Sequence, residues 1–219
     1  MIIAIDGPSG SGKSTLGRML ARALNLLYMD TGSMYRAVAL AVIEAHIDPA
    51  DSELVTALAN RIDIDLEGDP ESLSVLLNGR DITEQIRSES VTAMSSIVST
   101  IPGVRRAMVE RQRAMSKRGA VLNGRDIGTV VFPDADIKFF LTAVPEERAE
   151  RRFKEDQTSS ASLAETLAEM IERDRRDTTR ADSPLKVADD ATVVDSTGKT
   201  IEEVFEFMMD KVISHGLHG

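Results

Sequence analysis

Residues 7–14, Gly7-Pro8-Ser9-Gly10-Ser11-Gly12-Lys13-Ser14, fit the pattern G-x-x-x-x-G-K-[ST]. This pattern requires a strand before it and a helix after it, because its glycines fold the main chain around an anion at a strand-to-helix turn. Met1-Ile2-Ile3-Ala4-Ile5 is a short, uncharged, β-branched run that reads as a buried parallel strand. After the loop, Leu16, Met19, Leu20, Ala23 and Leu24 recur at i, i+3, i+4, i+7 and i+8, one face of an amphipathic helix. An ordinary Gly/Ser-rich turn is the plain alternative, but the flanking elements favour a nucleoside triphosphate site. In such a site successive N–H groups cradle phosphate oxygens. Lys13 would bring a mobile positive charge to the β- and γ-phosphates, and the Ser14 hydroxyl could ligate magnesium.

Other strand ends carry the remaining polar clusters. Leu26-Leu27-Tyr28-Met29-Asp30 reads as a second strand, with Asn25 capping the helix before it. It runs into Thr31-Gly32-Ser33-Met34-Tyr35-Arg36 and a helix with Met34, Ala37, Val38, Ala41 and Val42 on one face. Asp30, Thr31 and Arg36 then meet at a carboxyl strand end, where open parallel sheets bind ligands. A helix N-cap is the plain alternative for Asp30 or Thr31, and capping and ligand contact are not exclusive. Ala120-Val121-Leu122-Asn123 is a further strand, ending at a second site-like loop, Gly124-Arg125-Asp126-Ile127-Gly128-Thr129. Ile137-Lys138-Phe139-Phe140-Leu141 and Ala191-Thr192-Val193-Val194-Asp195 complete a five-stranded parallel set. Within residues 61–91, Ile62-Asp63-Ile64-Asp65-Leu66 alternates with period two, Leu73-Ser74-Val75-Leu76-Leu77 is a second strand candidate, and Gly68-Asp69-Pro70 and Asn78-Gly79 are turn signals, which predicts a small antiparallel insertion.

The helical stretches are basic. Residues 92–102 are polar and helix-compatible, and the next helix turns Val104, Met108 and Met115 inward. Arg105, Arg106, Arg111 and Arg113 around it read mostly as surface cations. Pro145 starts a helix carrying Arg148, Arg151, Arg152 and Lys154, followed by a polar break from Gln157 to Ala161. Ser162 and Glu165 form a capping box for another helix, whose apolar stripe is Leu163, Leu167, Met170 and Ile171. On it Arg173, Asp177 and Arg180 share a second stripe, readable as a solvated salt-bridge ladder or as a ligand-facing set. Two basic helices around a polar hairpin also describe a mobile lid over phosphates. Thr200 and Glu203 cap a closing helix packed through Ile201, Val204, Phe205, Met208 and Val212.

Composition narrows the chemistry. With no cysteine and only the scattered His46, His215 and His218, the chain offers neither thiolate nor histidine metal sites. A net charge of −10 disfavours a general nucleic-acid surface. Yet 19 of the 26 basic residues are arginine, and 13 of them fall between Arg105 and Arg180, which suits local anion recognition. No signal peptide or membrane span is read, so the expected location is the cytoplasm. The residues themselves point to a kinase of a small phosphorylated acceptor, since phosphoryl transfer needs positioning, magnesium and cations rather than a covalent nucleophile.

The chain resembles the bacterial cytidylate kinases, within the nucleoside monophosphate kinases, over nearly its whole length. The resemblance lies in residues 5–14, 30–36 and 124–135, and in Arg173-Asp174, Arg176-Asp177 and Arg180-Ala181. It implies a P-loop kinase fold of α/β class, a single domain over 1–219 with a five-stranded parallel sheet in the order 2-3-1-4-5. A monophosphate-binding region over 31–105, including the antiparallel insertion, and a lid over 148–180 come with it. By resemblance, Gly7, Pro8, Ser9, Gly10, Ser11, Gly12, Lys13, Ser14 and Thr15 contact ATP, with magnesium on Ser14. Arg36, Arg125 and Arg180 resemble acceptor-phosphate ligands, Thr31, Arg105 and Asp126 cytosine readers, and Ser96, Arg173 and Asp177 sugar contacts. Lys13, Arg125 and Arg151 are the expected catalytic residues, with Arg152 the alternative to Arg151. Asn123 stands where some relatives carry a carboxylate, leaving Asp6 or Asp30 to order the magnesium shell. The expected partners are Mg-ATP and CMP or dCMP, bound by a monomer with neither nucleic acid nor membrane. Another small-molecule kinase, or a non-catalytic nucleotide switch, are the alternatives on this scaffold.

Overall fold

Eight strands and eight α-helices follow one another along the chain in the computed structural model, which describes residues 1–155 and 161–216. The order is β1 (Ile2–Asp6), α1 (Lys13–Leu24), β2 (Leu27–Asp30), α2 (Thr31–Glu44) and α3 (Ser52–Arg61). Then come β3 (Ile64–Glu67), β4 (Ser74–Leu77), β5 (Arg80–Asp81), α4 (Glu89–Val98) and α5 (Pro102–Met115). The remainder is β6 (Ala120–Gly124), β7 (Ile137–Thr142), α6 (Pro145–Glu155), α7 (Leu163–Thr179), β8 (Thr192–Asp195) and α8 (Ile201–Gly216). The large sheet has the order β2-β6-β1-β7-β8, which is 2-3-1-4-5 among its own strands, as expected. Its parallel registers include Ile3 opposite Ile137 and Phe139 opposite Thr192.

The chain divides into two compact units, Met1–Leu26 with Val121–Gly219, and Leu27–Ala120. In the first, α1 packs with α8 and α6 with α7. Ile3, Ala4, Ile5, Leu16, Leu20, Leu122, Phe139 and Leu141 are buried at its centre. Asn25 ends α1 in the left-handed conformation (φ 52°), the cap predicted from its side chain. Both capping boxes form: Ser162 with Glu165, and Thr200 with Glu203. The stripe on α7 is less buried than its spacing suggests. Met170 is buried, but Leu163 and Ile171 are exposed, Ile171 by 51%. The polar break expected at 157–161 and His218 fall mostly outside the described residues.

In the second unit, α2 packs on α4 and α3 on α5. All five apolar positions predicted on α2 are buried. The antiparallel sheet β3-β4-β5 stands where alternation predicted it. Leu77 pairs with Arg80 across Asn78-Gly79, both at positive φ (51° and 77°), so this turn has the twist that two-residue hairpins prefer. Helix α3, capped by Asp51 accepting from the Leu54 N–H, was not foreseen. Two arginines of α5 also depart from expectation. Arg105 is buried rather than on the surface, and Arg111 donates to the carbonyls of Ala59, Asn60 and Ile62 at the end of α3. Among the described residues no helix is long and apolar enough to cross a membrane.

Candidate active site

The loop between β1 and α1 is shaped by glycines that no other residue replaces. Gly10 has φ +70°, and a Cβ there would lie 2.6 Å from the Arg148 carbonyl oxygen of α6. Gly12 (φ 92°) precedes the first helical residue, Lys13, which is only 6% exposed. The Lys13 ammonium donates to the Pro8 carbonyl (2.5 Å) and to Ser11 Oγ (3.3 Å). Burial pushes its pKa well below the usual lysine range, and the charges of Arg125 and Arg173 push the same way, against Asp174 and Asp6. A lysine in that state gains from any anion brought beside it, which is what a phosphate does.

A second loop is set by Asp6, the last residue of β1. Its carboxylate accepts the N–H groups of Ile127 (2.8 Å) and Gly128 (2.7 Å), at the start of a π-helical turn, Ile127–Val131, that the sequence did not announce. Burial raises the Asp6 pKa to about 6, the two N–H bonds opposing the rise, with Asp126 adding to it and Lys13 opposing. By fixing Ile127 and Gly128, Asp6 fixes the residues just before them, Arg125 and Asp126. Arg125 Nε donates to Asp177 (2.8 Å) on α7. Arg180 Nη2 lies 3.5 Å from Asp126, its Nη1 3.9 Å from Asp177, and its Nε donates to the Ser183 carbonyl (2.6 Å). Burial opposes ionisation of Asp177, but the charges of Arg125, Arg173 and Arg180 outweigh it and hold the carboxyl below its usual range. Side-chain exposures of 8% for Arg180 and 16% for Asp177 exclude the solvated-ladder reading of this stripe. It is a closed ionic cluster joined to the second loop, not a solvated ladder.

Helices α6 and α7 also touch the phosphate loop, through residues to which sequence reasoning gave no role there. Arg148 Nη1 donates to the Ser9 carbonyl (2.9 Å) and to Asp174 (2.5 Å), while Asp174 accepts the Ser9 N–H (3.1 Å). The only local signal was the repeated Arg-Asp doublet of α7, since Ser9 and Asp174 lie 165 residues apart. Arg151 is placed differently from Arg148. Its guanidinium donates to Ser196 Oγ (2.9 Å), the Ser196 carbonyl (2.8 Å) and Glu147 (3.1 Å), beyond the end of β8.

In the Leu27–Ala120 unit, Asp30 does cap α2. Its carboxylate accepts the Gly32 N–H (3.1 Å) and also Arg36 Nη2 (3.0 Å), so capping and arginine positioning coexist. Thr31 is buried beside it. Arg105 lies over the Tyr35 ring, 5.6 Å from its centroid, and donates Nη1 to the Ser99 carbonyl (3.2 Å). Ser96, half-buried, donates to the Thr92 carbonyl (3.4 Å).

A magnesium ion would find little protein to hold it. Among the described residues no three acidic or histidine side chains cluster as a metal site. The carboxylates considered for its shell are engaged, Asp6 by two main-chain N–H groups and Asp30 by Gly32 and Arg36. The Ser14 hydroxyl accepts from Asn123 Nδ2 (3.3 Å), one residue after Lys13. One hydroxyl with a neutral amide beside it fits an ion that arrives on a triphosphate, its other ligands being phosphate and water oxygens.

A sequence profile described as Cytidylate kinase matches residues 3–214. A cytidylate kinase of Geobacter sp. (strain M21) is 49% identical over 211 residues, covering 95% of this chain and 91% of its own. One of Solibacter usitatus (strain Ellin6076) is 47% identical over 224 residues, covering 100% and 95%. The crystal structure of an uncharacterized protein from Eubacterium ventriosum ATCC 27560 superposes with a TM-score of 0.52 at 12% identity, covering 98% of this chain and 99% of that one. That last likeness is one of fold alone. With its phosphate loop, its strand order and its Arg-Asp cluster in place, the chain belongs to the cytidylate kinase family.

Proposed function

We propose that this chain transfers the γ-phosphoryl group of ATP to CMP or dCMP, giving ADP and CDP or dCDP. Beyond family membership, the observation that carries the reading is the closed cluster of Arg125, Asp126, Asp177 and Arg180, in the unit that also holds the buried Lys13. In the reaction an oxygen of the acceptor phosphate attacks the γ-phosphorus and the bond to the ADP oxygen breaks. Lys13 follows the β- and γ-phosphates, and the N–H groups of residues 7–15 hold the donor. Arg36, Arg125 and Arg180 take the acceptor phosphate, and Ser96, Arg173 and Asp177 its sugar. Thr31, Arg105 and Asp126 read the base. Arg151 serves the transferring group once α6 and α7 close over the substrates, trading Ser196 and Glu147 for phosphate. The Ser14 hydroxyl would hold a magnesium ion arriving with ATP, which would supply charge neutralisation to the triphosphate. The place of action is the cytoplasm and the acting form a monomer.

The base contacts make the reading testable. Cytosine offers an N4 amino donor beside the acceptors N3 and O2, whereas uracil reverses the donor and acceptor at two of these positions. Each correct contact is worth about 1–3 kcal/mol of discrimination, so UMP is expected to be poorer than CMP by roughly 10²-fold in kcat/KM. Purified protein with Mg-ATP, assayed for ADP production against CMP, dCMP and UMP, checks this. Equal kcat/KM for CMP and UMP would overturn the base assignment. No ADP production with any monophosphate would replace the enzyme with a nucleotide switch.

A further inference from the structure

The contact between α7 and the phosphate loop has chemistry of its own. Ser9 is bonded through both of its main-chain groups. Its N–H goes to Asp174 Oδ1 (3.1 Å) and its carbonyl accepts Arg148 Nη1 (2.9 Å), while Arg148 and Asp174 pair with each other at 2.5 Å. Arg148 is anchored besides by Nε on the Ala143 carbonyl (3.0 Å). Its side chain is 7% exposed and that of Asp174 is 17% exposed. The N–H groups of a glycine-rich loop are aligned to receive anion oxygens. A carboxylate on the Ser9 N–H therefore holds a donor of this loop that an anion oxygen could also take, with a guanidinium beside it.

We infer that Asp174 is a positioning residue of the donor site, a carboxylate that holds Ser9 and Arg148 in place and is exchanged for a phosphate oxygen when a triphosphate binds. This rests on the reading of residues 7–14 as the donor loop. Carboxylate and phosphate offer the same oxygen face to an N–H or a guanidinium, and phosphate brings more charge, so the exchange runs toward the donor. Two features make Asp174 the mobile partner. Arg148 is fixed at Ala143 and its own carbonyl abuts Gly10, whereas Asp174 lies on the next helix and is the more exposed. The same helix carries Arg173 and Asp177 and ends at Arg180, its C-cap, so exchange at Ser9 reaches the residues proposed for the acceptor.

A fixed structural staple and an exchangeable carboxylate predict opposite results. Removing a staple loosens the loop and weakens every ligand. Removing a competitor strengthens only the ligand that competes. The experiment measures dissociation constants by calorimetry for Mg-ATP, inorganic tripolyphosphate and AMP, in the wild type, Asp174→Asn, Asp174→Ser and Asp174→Glu, with thermal melts of each. The expected result is about tenfold tighter ATP and tripolyphosphate binding in Asp174→Asn and Asp174→Ser, one like charge having been removed from the phosphates. AMP affinity should stay within about twofold, and Asp174→Glu should return ATP to within about threefold of the wild type. Unchanged or weaker triphosphate binding in the Asn and Ser variants would overturn the inference, as would failure of both to fold, since either makes Asp174 a structural staple. These outcomes are separate from the fate of the proposed function. A triphosphate gain without CMP turnover would sustain this inference and sink that reading, and CMP turnover without the gain would do the reverse.

Discussion

In the unit that carries the phosphate loop, Arg125 meets Asp177, Arg148 meets Asp174, and Arg180 meets Asp126 and Asp177. In the Leu27–Ala120 unit, Arg111 ends on three main-chain carbonyls and Arg105 on the Ser99 carbonyl and the face of Tyr35. The kind of partner separates two uses of the same side chain. A carboxylate can be traded for a phosphate, because both present paired oxygens to a guanidinium. A carbonyl at the end of a helix cannot leave its place in the chain, so Arg111, held by three of them, is part of the architecture, whereas Arg105 keeps its proposed role at the base. Arg36, paired with Asp30, lies in the second unit but belongs to the exchangeable kind. Lys13 is the extreme case of the first unit, on neutral acceptors, its pKa depressed by burial first and by guanidinium charges second.

Substitutions can break this contrast. The largest effect is expected at Lys13→Met, which should lower kcat by roughly 10⁴-fold or more while CMP binding persists, as titration of CMP into the variant would reveal. Near-normal turnover would remove Lys13 from the transfer step. Next comes Arg151→Ala, expected to cost about 10³-fold in kcat if Arg151 trades Glu147 and Ser196 for the transferring group. A loss below tenfold in steady-state assays would move Arg151 into the architectural class. The base-reading residues come third. Asp126→Ala should cost CMP about tenfold more than UMP, while Arg36→Ala should weaken both equally, since a phosphate contact carries no base information. Parallel kcat/KM series for the two nucleotides test that pair. The smallest effect on activity is expected at Arg111→Ala. It should leave kcat within about twofold yet cost about 2 kcal/mol in a urea melt, from carbonyls left unpaired at the end of α3. A drop in kcat with unchanged stability would erase the distinction between the two kinds of arginine.

What could be read in the chain beforehand follows the range of the interactions involved. The phosphate loop, the Asn25 cap, the Asn78-Gly79 hairpin and both capping boxes rest on contacts within a few residues, and each stands where its spacing put it. The strands of the parallel sheet were legible from their apolar runs, and their order came from the family resemblance. Long-range partners were not legible. Nothing near Asp174 points to Ser9, and nothing near Arg111 points to the end of α3, a helix whose own periodicity went unread. The stripe on α7 misled in one direction and the arginines of α5 in the other. Helical spacing locates a face but does not say how much of it the rest of the protein covers, so Ile171 is exposed and Arg105 is buried. From the sequence, Asp6 stands only as a candidate to order the magnesium shell. Its work as the clamp on Ile127 and Gly128 depends on a segment about 120 residues further on.

The pairing of β1 has a consequence for how this chain is born. The strand that leads into the phosphate loop is made well before its neighbour, since Ile3 pairs with Ile137. At about 5–20 residues per second, a ribosome needs roughly 7–27 seconds to add the intervening stretch. Throughout that interval Ile2-Ile3-Ala4-Ile5 is an apolar strand without its β7 neighbour. The segment Leu27–Ala120, contiguous in sequence and rich in short-range pairings, can fold within the same interval. This early strand is thus among the last parts of its unit to be completed, and during synthesis it is a stretch that a chaperone's cover would serve.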